Sequence, residues 1–142
     1  MKKFMCIAII ICILPVCSFA VDITEFNVNA MVCGEEAIDE STAVITDTIT
    51  TYTAGNCKFG FKEENNKISR IIIQGSGISF LAYAMAAIMV FDDSPESFTE
   101  NSGKLFTAFL LLRSSDEQYN RISTGQLILL KHIGDEYFFT IG

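Results

Sequence analysis

The chain contains 142 residues, of which 50% are hydrophobic, and its 17 acidic and 10 basic side chains give a formal net charge of −7. So high an apolar content excludes a generally disordered chain. The negative charge disfavours binding to nucleic acid or to anionic membrane surfaces, because lysine and arginine supply most of the affinity for both.

Residues 1–20 have the pattern of a secretory signal peptide. Lys2 and Lys3 precede an apolar run over residues 4–16, and Ser18 and Ala20 are the small residues that a signal peptidase requires. The apolar run is shorter than the roughly 20 residues of a membrane span. We therefore predict that residues 1–20 are removed and that residues 21–142 form a single domain in the periplasm or outside the cell.

Three alternatives to a cleaved signal stay open. The residues before Cys17 resemble a bacterial lipoprotein box, in which the lipidated cysteine becomes the mature N-terminus, although Val16 is larger than the residue usual there. Residues 1–20 could also remain as an uncleaved anchor or pack as a buried helix. Cleavage would remove Lys2 and Lys3 but none of the 17 acidic residues, so the mature chain would be more acidic.

Two cysteines, Cys33 and Cys57, remain after such processing. An even pair in an oxidising compartment predicts a disulfide. Closing a loop of about 25 residues would stabilise the fold by roughly 3 kcal/mol through loop-closure entropy. A redox motif is not expected, because the two residues lack C-x-x-C spacing, and a metal site would need further ligands.

The first half of the mature chain is predicted to consist mostly of strands. Phe26, Val28, Ala30 and Val32 alternate as in a strand, although the acidic residues at 22 and 25 also resemble a helix start. We favour the strand. The next predicted elements are a loop or short helical turn at 34–41, a strand at 42–53, and a hairpin of residues 57–62 and 67–74.

The second half is predicted to contain two helices followed by a hairpin. Residues 78–91 are apolar nearly all round, which is typical of a core helix or a membrane segment. Ser94 and Pro95 then suit the start of a second helix near 98–112, interrupted near Gly103. Residues 114–120 are predicted to be a polar connection, and 126–133 and 137–141 a second hairpin.

Segregated strands and helices predict an α+β domain. The expected architecture is an antiparallel sheet of four to six strands with a buried central helix and a second helix packed on one face.

Candidate catalytic residues are few. His132 is the only histidine, and nucleophilic catalysis would need a nucleophile and an orienting carboxylate beside it. Ser76 and Ser79 could supply the nucleophile, but their surroundings do not match G-x-S-x-G. A histidine at the surface or at a sheet edge explains His132 without catalysis.

Three further patterns have both a functional and a plain structural explanation. Gly75, Ser76 and Gly77 precede a predicted helix and could hold an anion, or they could form an ordinary turn. The acidic loop 92–96 is the best local candidate for calcium, but it lacks an EF-hand pattern, so solvated charge and helix capping are the favoured explanation. Thr46, Thr48 and Thr50 would lie on one strand face, which is also ordinary strand composition.

These observations favour a small exported, non-enzymatic protein that binds another protein, such as an inhibitor or immunity partner of an exported protein. The negative charge favours a basic partner. No cofactor, metal or nucleic acid is expected, and no membrane association after cleavage. Alternatives are a secreted hydrolase with dispersed carboxylates and serines, or a membrane-inserting protein that uses the uncharged residues 71–91.

Overall fold

The computed structural model describes residues 23–142. The predicted signal peptide, its cleavage site and Cys17 lie outside the described residues. Helices α1 (Ile23–Val32), α2 (Gly77–Phe91) and α3 (Pro95–Leu111) accompany a short 3-10 turn, Glu40–Thr42. The strands are β1 (Val44–Thr46), β2 (Ile49–Ala54), β3 (Cys57–Glu64), β4 (Lys67–Gly75), β5 (Glu117–Arg121), β6 (Leu127–Ile133) and β7 (Glu136–Ile141).

The seven strands form one antiparallel sheet in the order β1-β2-β3-β4-β7-β6-β5. Two meanders, one before and one after the α2–α3 helix pair, meet where β4 pairs with β7. This junction aligns Ile71 with Ile141 and Ile73 with Phe139. The C-terminal strand therefore lies inside the sheet and not at its edge.

The core lies between the helices and one face of the sheet. Because side chains alternate along a strand, the buried residues of β3, β4 and β7 point to the same side, towards α1 and α2. Phe26 of α1 makes edge-to-face contacts with Phe59 and Phe61, with ring centroids 5.9 and 5.3 Å apart, and stacks on Tyr83 of α2. These aromatic contacts fix α1 against the first meander.

The predicted α+β class is confirmed, with corrections of detail. The sheet has seven strands and not four to six. The prediction of a buried central helix is not confirmed, because α2 lies on one face of the sheet and is only partly covered. Ile78 is 70% exposed, and Met85, Met89 and Val90 are half-buried.

The predicted strand over residues 22–32 is wrong, because this segment forms α1. Phe26 and Ala30, four residues apart, are both fully buried, while Val28 and Val32 are exposed. Burial at a spacing of four residues is typical of a helix. The packing of Phe26 in the core therefore favours the helix, although the apolar residues of this segment alternate as in a strand.

The predicted strand over residues 42–53 is divided into β1 and β2 by a turn. Asp47 has a φ of 53°, a left-handed conformation that aspartate tolerates better than most residues. The turn separates Thr46 from Thr48 and Thr50, so these threonines do not form a single row. The predicted polar connection at 114–120 also contains a strand, β5, which pairs with β6.

The uncharged residues 71–91 are shared between the end of β4 and α2. Among the described residues, none of the helices is both long enough and apolar enough to span a bilayer.

Candidate functional site

The sheet face opposite the helices carries the most distinctive surface of the described chain. No described helix covers this open face, and strand register arranges its side chains in rows across the sheet. The central row contains Val44, Thr51, Gly60, Ile72, Thr140, Leu129 and Tyr119. It is predominantly apolar, and Ile72 and Leu129 are half-buried although no helix within residues 23–142 lies over them.

The central row is flanked by two rows that contain cations. The first basic row contains Ile49, Lys62, Arg70, Leu127 and Arg121. The second basic row contains Thr53, Lys58, Gln74, Phe138, Lys131 and Glu117. Five of the eight lysines and arginines among residues 23–142 thus lie on these two rows, with one carboxylate.

A groove of about 380 Å³ lies on this face over β2, β3 and β4. Gly60 forms part of its floor, and a Cβ built there would lie 3.6 Å from both Ile49 Cγ2 and Ile72 Cβ, an ordinary contact distance. The groove is therefore open because position 60 has no side chain. Lys58 and Phe138 also line it.

The cations of the open face are only partly neutralised by neighbouring residues. Lys131 Nζ lies 3.7 Å from Glu117 Oε2, and Lys62 Nζ lies 2.6 Å from Glu64 Oε1. Among the described residues, Lys58 and Arg70 form no salt bridge. Six of the 17 acidic residues lie elsewhere, in the loops before β1 and between α2 and α3, so charge is unevenly distributed over the chain despite its negative total.

The predicted anion site at Gly75, Ser76 and Gly77 forms the turn into α2. Gly77 has a φ of 73°, which a glycine adopts without strain, and Ser76 Oγ accepts a hydrogen bond from Asn56 Nδ2 at 3.1 Å. The adjoining cleft, of about 570 Å³, is also lined by Glu35 and Glu36. Those carboxylates would repel an anion.

His132 is a structural residue in this arrangement. Its Nδ1 lies 2.9 Å from the carbonyl oxygen of Leu112, at the C-cap of α3. Its ring stacks on Tyr137 with centroids 4.2 Å apart. Among the described contacts of His132 there is no serine hydroxyl and no carboxylate, so it is not brought together with Ser76 or Ser79 as a catalytic pair.

The acidic loop 92–96 serves to cap α3. Asp92 accepts hydrogen bonds from Ser97 Oγ at 2.7 Å and from Ser123 Oγ at 3.1 Å, and Ser94 Oγ accepts one from the backbone N–H of Ser97. These bonds tie the start of α3 to the loop between β5 and β6. Within residues 23–142, no group of three or more potential ligand residues is placed to hold a metal ion.

Cys33 and Cys57 are both free thiols in the structure, so the predicted disulfide is not formed there. Cys33 Sγ lies 3.9 Å from Met89 Sδ. Cys57 is fully buried, and its burial, with a smaller contribution from the charge of Glu35, raises the pKa of its thiol to about 11. A thiol held in its protonated form is a poor nucleophile.

The open face was not predicted from the sequence, although part of its pattern is visible there. Lys58, Gly60 and Lys62 alternate with buried aromatic residues along β3, and this alternation indicates a strand with one solvated face. Alternation alone does not align these residues with Phe138 or Leu129, which belong to the second meander. Comparison of the chain with known protein families, curated proteins and solved structures finds no match to any of them.

Proposed function

We propose that this chain is a small, exported, non-enzymatic protein-binding module and that the open sheet face is its docking surface. The observation that carries the proposal is the central row, whose middle residues Ile72 and Leu129 are half-buried, between two rows of cations on a face that no described helix covers. An apolar centre with a charged rim is the usual anatomy of a protein interface, and contiguous uncovered apolar surface often marks an interaction site.

The charge of this face favours an acidic ligand segment. Lys58 borders the groove and has no salt bridge among the described residues, so a carboxylate beside it would gain an attractive contact. Arg70 offers a planar guanidinium, which can bind a carboxylate through two hydrogen bonds. A segment that alternates apolar and acidic side chains would place apolar groups over Ile72 and carboxylates over the flanking cations.

The predicted basic partner is a different proposal, since it follows from the total charge and not from this face. The loops that carry Glu35, Glu36 and the acidic residues at 92 and 93 would attract such a partner by electrostatic steering. They have no uncovered apolar row comparable to that of the open face. We therefore favour the acidic ligand.

Binding can be tested with a fluorescent peptide of alternating leucine and glutamate, with a leucine–lysine peptide as the charge control. Fluorescence anisotropy should show that the glutamate peptide binds more tightly and that added salt weakens its binding. Lys58→Gln should weaken binding about two- to fivefold, in line with an exposed ion pair. Ala37→Glu makes the same change in net charge at an exposed loop residue, and it should have little effect.

The groove itself is tested by Gly60→Val, which fills the space between Ile49 and Ile72 from the solvent side. We expect an intact fold and binding at least about tenfold weaker, equivalent to 1.4 kcal/mol. Thr99→Val, at an exposed residue of α3 away from the open face, is the matched control and should bind normally. Tighter binding of the lysine peptide, unaffected by Gly60→Val, would refute the acidic-ligand proposal.

The export part of the proposal has a separate test. Mass spectrometry of the secreted or periplasmic protein should give an N-terminus at Val21. A lipidated N-terminus at Cys17 would establish a lipoprotein instead, and retention of Met1 would contradict the signal-peptide prediction.

A further inference from the structure

Strand β5 forms one edge of the sheet, and no described strand pairs with its outer side. Just beyond the strand, Ile122 donates its backbone N–H to the carbonyl oxygen of Gln126 at 3.1 Å. Because alternate residues of an antiparallel strand direct their backbone groups to opposite sides, the even-numbered residues of β5 bond to β6. The backbone N–H and C=O groups of Glu117, Tyr119 and Arg121 therefore face outwards.

We infer that this edge is a homodimer interface, in which β5 pairs antiparallel with β5 of a second copy. The two-fold axis would pass between Tyr119 and the partner's Tyr119, and the two seven-stranded sheets would form one continuous sheet. In that register Glu117 lies opposite the partner's Arg121. All three outward-facing residues then exchange backbone hydrogen bonds with the partner, and the axis repeats each contact, as in any isologous interface.

The charges along β5 are complementary to themselves in this register. Glu117 is the only acidic residue of the strand and Arg121 the only basic one, and they lie two residues on either side of Tyr119. Opposite charges directly across an antiparallel pair stabilise it, whereas like charges destabilise it. The charges therefore favour the one register in which all three outward-facing residues are paired.

Neither charged side chain is saturated by its own chain. Glu117 Oε2 lies 3.7 Å from Lys131 Nζ, and the Glu117 side chain is 43% exposed. Arg121 Nη1 donates a hydrogen bond to the carbonyl oxygen of Gly125 at 2.6 Å, which uses one of the five N–H groups of the guanidinium. In the dimer Glu117 would lie between Lys131 and the partner's Arg121, as a carboxylate between two cations.

A second copy is a better occupant of this edge than an unrelated strand. Charged side chains usually protect an edge strand from pairing with other chains, but the five residues of β5 supply both members of the charge pair to each other. The opposite edge, β1, has only three residues and no charge, so it offers fewer backbone groups and no such pair. The inference does not depend on the proposed function.

Amide hydrogen exchange of the mature chain, measured by NMR at two concentrations, tests the pairing residue by residue. The amides of Gln118 and Asn120 should be protected at both concentrations, because they bond to β6. Those of Glu117, Tyr119 and Arg121 should exchange rapidly in dilute solution and become protected as the concentration rises to about 1 mM, the range of a weak complex. Unchanged exchange of these three amides at the higher concentration would overturn the inference.

Charge exchange tests the register by sedimentation velocity. Glu117→Arg and Arg121→Glu should each weaken dimerisation at least about fivefold, because each replaces an attractive pair by like charges at two sites. The double variant exchanges the pair and should restore part of the lost affinity, although its new arginine would also lie beside Lys131. A double variant that dimerises no better than either single variant would refute this register.

Two proline variants separate this edge from the opposite one. Tyr119→Pro removes an N–H that faces only the partner, and an edge strand tolerates proline at such a position, so the dimer should be lost with little change in the melting temperature of the monomer.

Ile45→Pro is the matched control in β1. Glu63 donates its backbone N–H to the carbonyl oxygen of Thr48, so the same alternation through β2 directs the backbone groups of Ile45 outwards. This variant should leave dimerisation unchanged. If Ile45→Pro removes the dimer and Tyr119→Pro does not, the interface lies on β1 and the assignment to β5 is wrong.

Discussion

Gly75 lies at the end of β4 in a position that has no room for a side chain. A Cβ built there would lie 2.6 Å from Cys57 Sγ and 3.3 Å from both the carbonyl oxygen of Asn56 and Cys57 Cα. Non-bonded heavy atoms pack at about 3.5–4.0 Å, so the Cβ would overlap the sulfur by about 1 Å. Gly75 does not have a positive φ, so the exclusion of a side chain is purely steric.

Gly75→Ala should therefore lower the free energy of unfolding. Overpacking of a filled core typically costs about 1–3 kcal/mol, against a gain of roughly 0.5–1 kcal/mol from replacing a strand glycine. We expect a net loss of about 1–2 kcal/mol, measured by urea denaturation. Gly60→Ala is the matched control: its Cβ would meet only ordinary contacts at 3.6 Å, so its midpoint should stay the same or rise.

The double variant with Cys57→Ala shows whether the sulfur is the cause. Removing Sγ eliminates the closest overlap and leaves only the contacts at 3.3 Å. Gly75→Ala should then be less destabilising in the Cys57→Ala background than in the original chain, with a coupling energy of about 0.5–3 kcal/mol. If the two effects simply add, or if Gly75→Ala is as harmless as Gly60→Ala, the steric argument is refuted.

Three further predictions concern the core and the thiols. Ile88 is fully buried in α2, so Ile88→Ala should lower the free energy of unfolding by about 2–5 kcal/mol. Val28→Ala, at an exposed site, should change the free energy of unfolding by less than about 0.5 kcal/mol. Equal effects of the two variants would contradict the burial of Ile88 in the core. The pKa of Cys57 is raised from 9.0 to about 11 in the folded chain. As pH rises, the Cys57 thiol therefore loses its proton in the unfolded chain before it does so in the folded chain, and the free energy of unfolding should fall between about pH 9 and 11. Urea denaturation of the original chain and of Cys57→Ala at each pH should show a smaller decline in the variant. Alkylation of the native protein without reductant should modify the half-buried Cys33 before Cys57, which should react only on unfolding. If neither thiol reacts even in denaturant without reductant, the predicted Cys33–Cys57 disulfide exists in the mature protein.

The sequence was sufficient to predict the fold class, the two helices α2 and α3, and the hairpin of β6 and β7, although it missed β5. The apolar residues of α2 and the cap formed by Ser94 and Pro95 mark the two helices by composition and local hydrogen bonding. The hairpin of β6 and β7 is marked by β-branched and aromatic residues on either side of a glycine turn. In each case the deciding interactions are local, so the sequence pattern contains them.

The missed elements depend on interactions that are not local. Helix α1 exists because Phe26 packs among aromatic residues of β3 and α2, whereas the sequence around it also fits an alternating strand. The turn at Asp47 interrupts residues that all suit a strand, and only the tolerance of aspartate for positive φ marks it. The rows of the open face require the pairing of β4 with β7, which no local pattern specifies.

The position of β7 has a consequence for how the chain is made. Its pairing partners are β4 and β6, so among the described strands the two halves of the sheet are joined through β7, which is the last of them to be synthesised. A nascent chain that ends before β7 presents two open strand edges, which are templates for pairing with other chains. Such long-range pairing also slows folding, because the chain loses the entropy of closing a long loop before it gains the contacts of the pair. Premature termination anywhere before residue 136 is thus expected to yield aggregation-prone fragments, and no smaller folded domain.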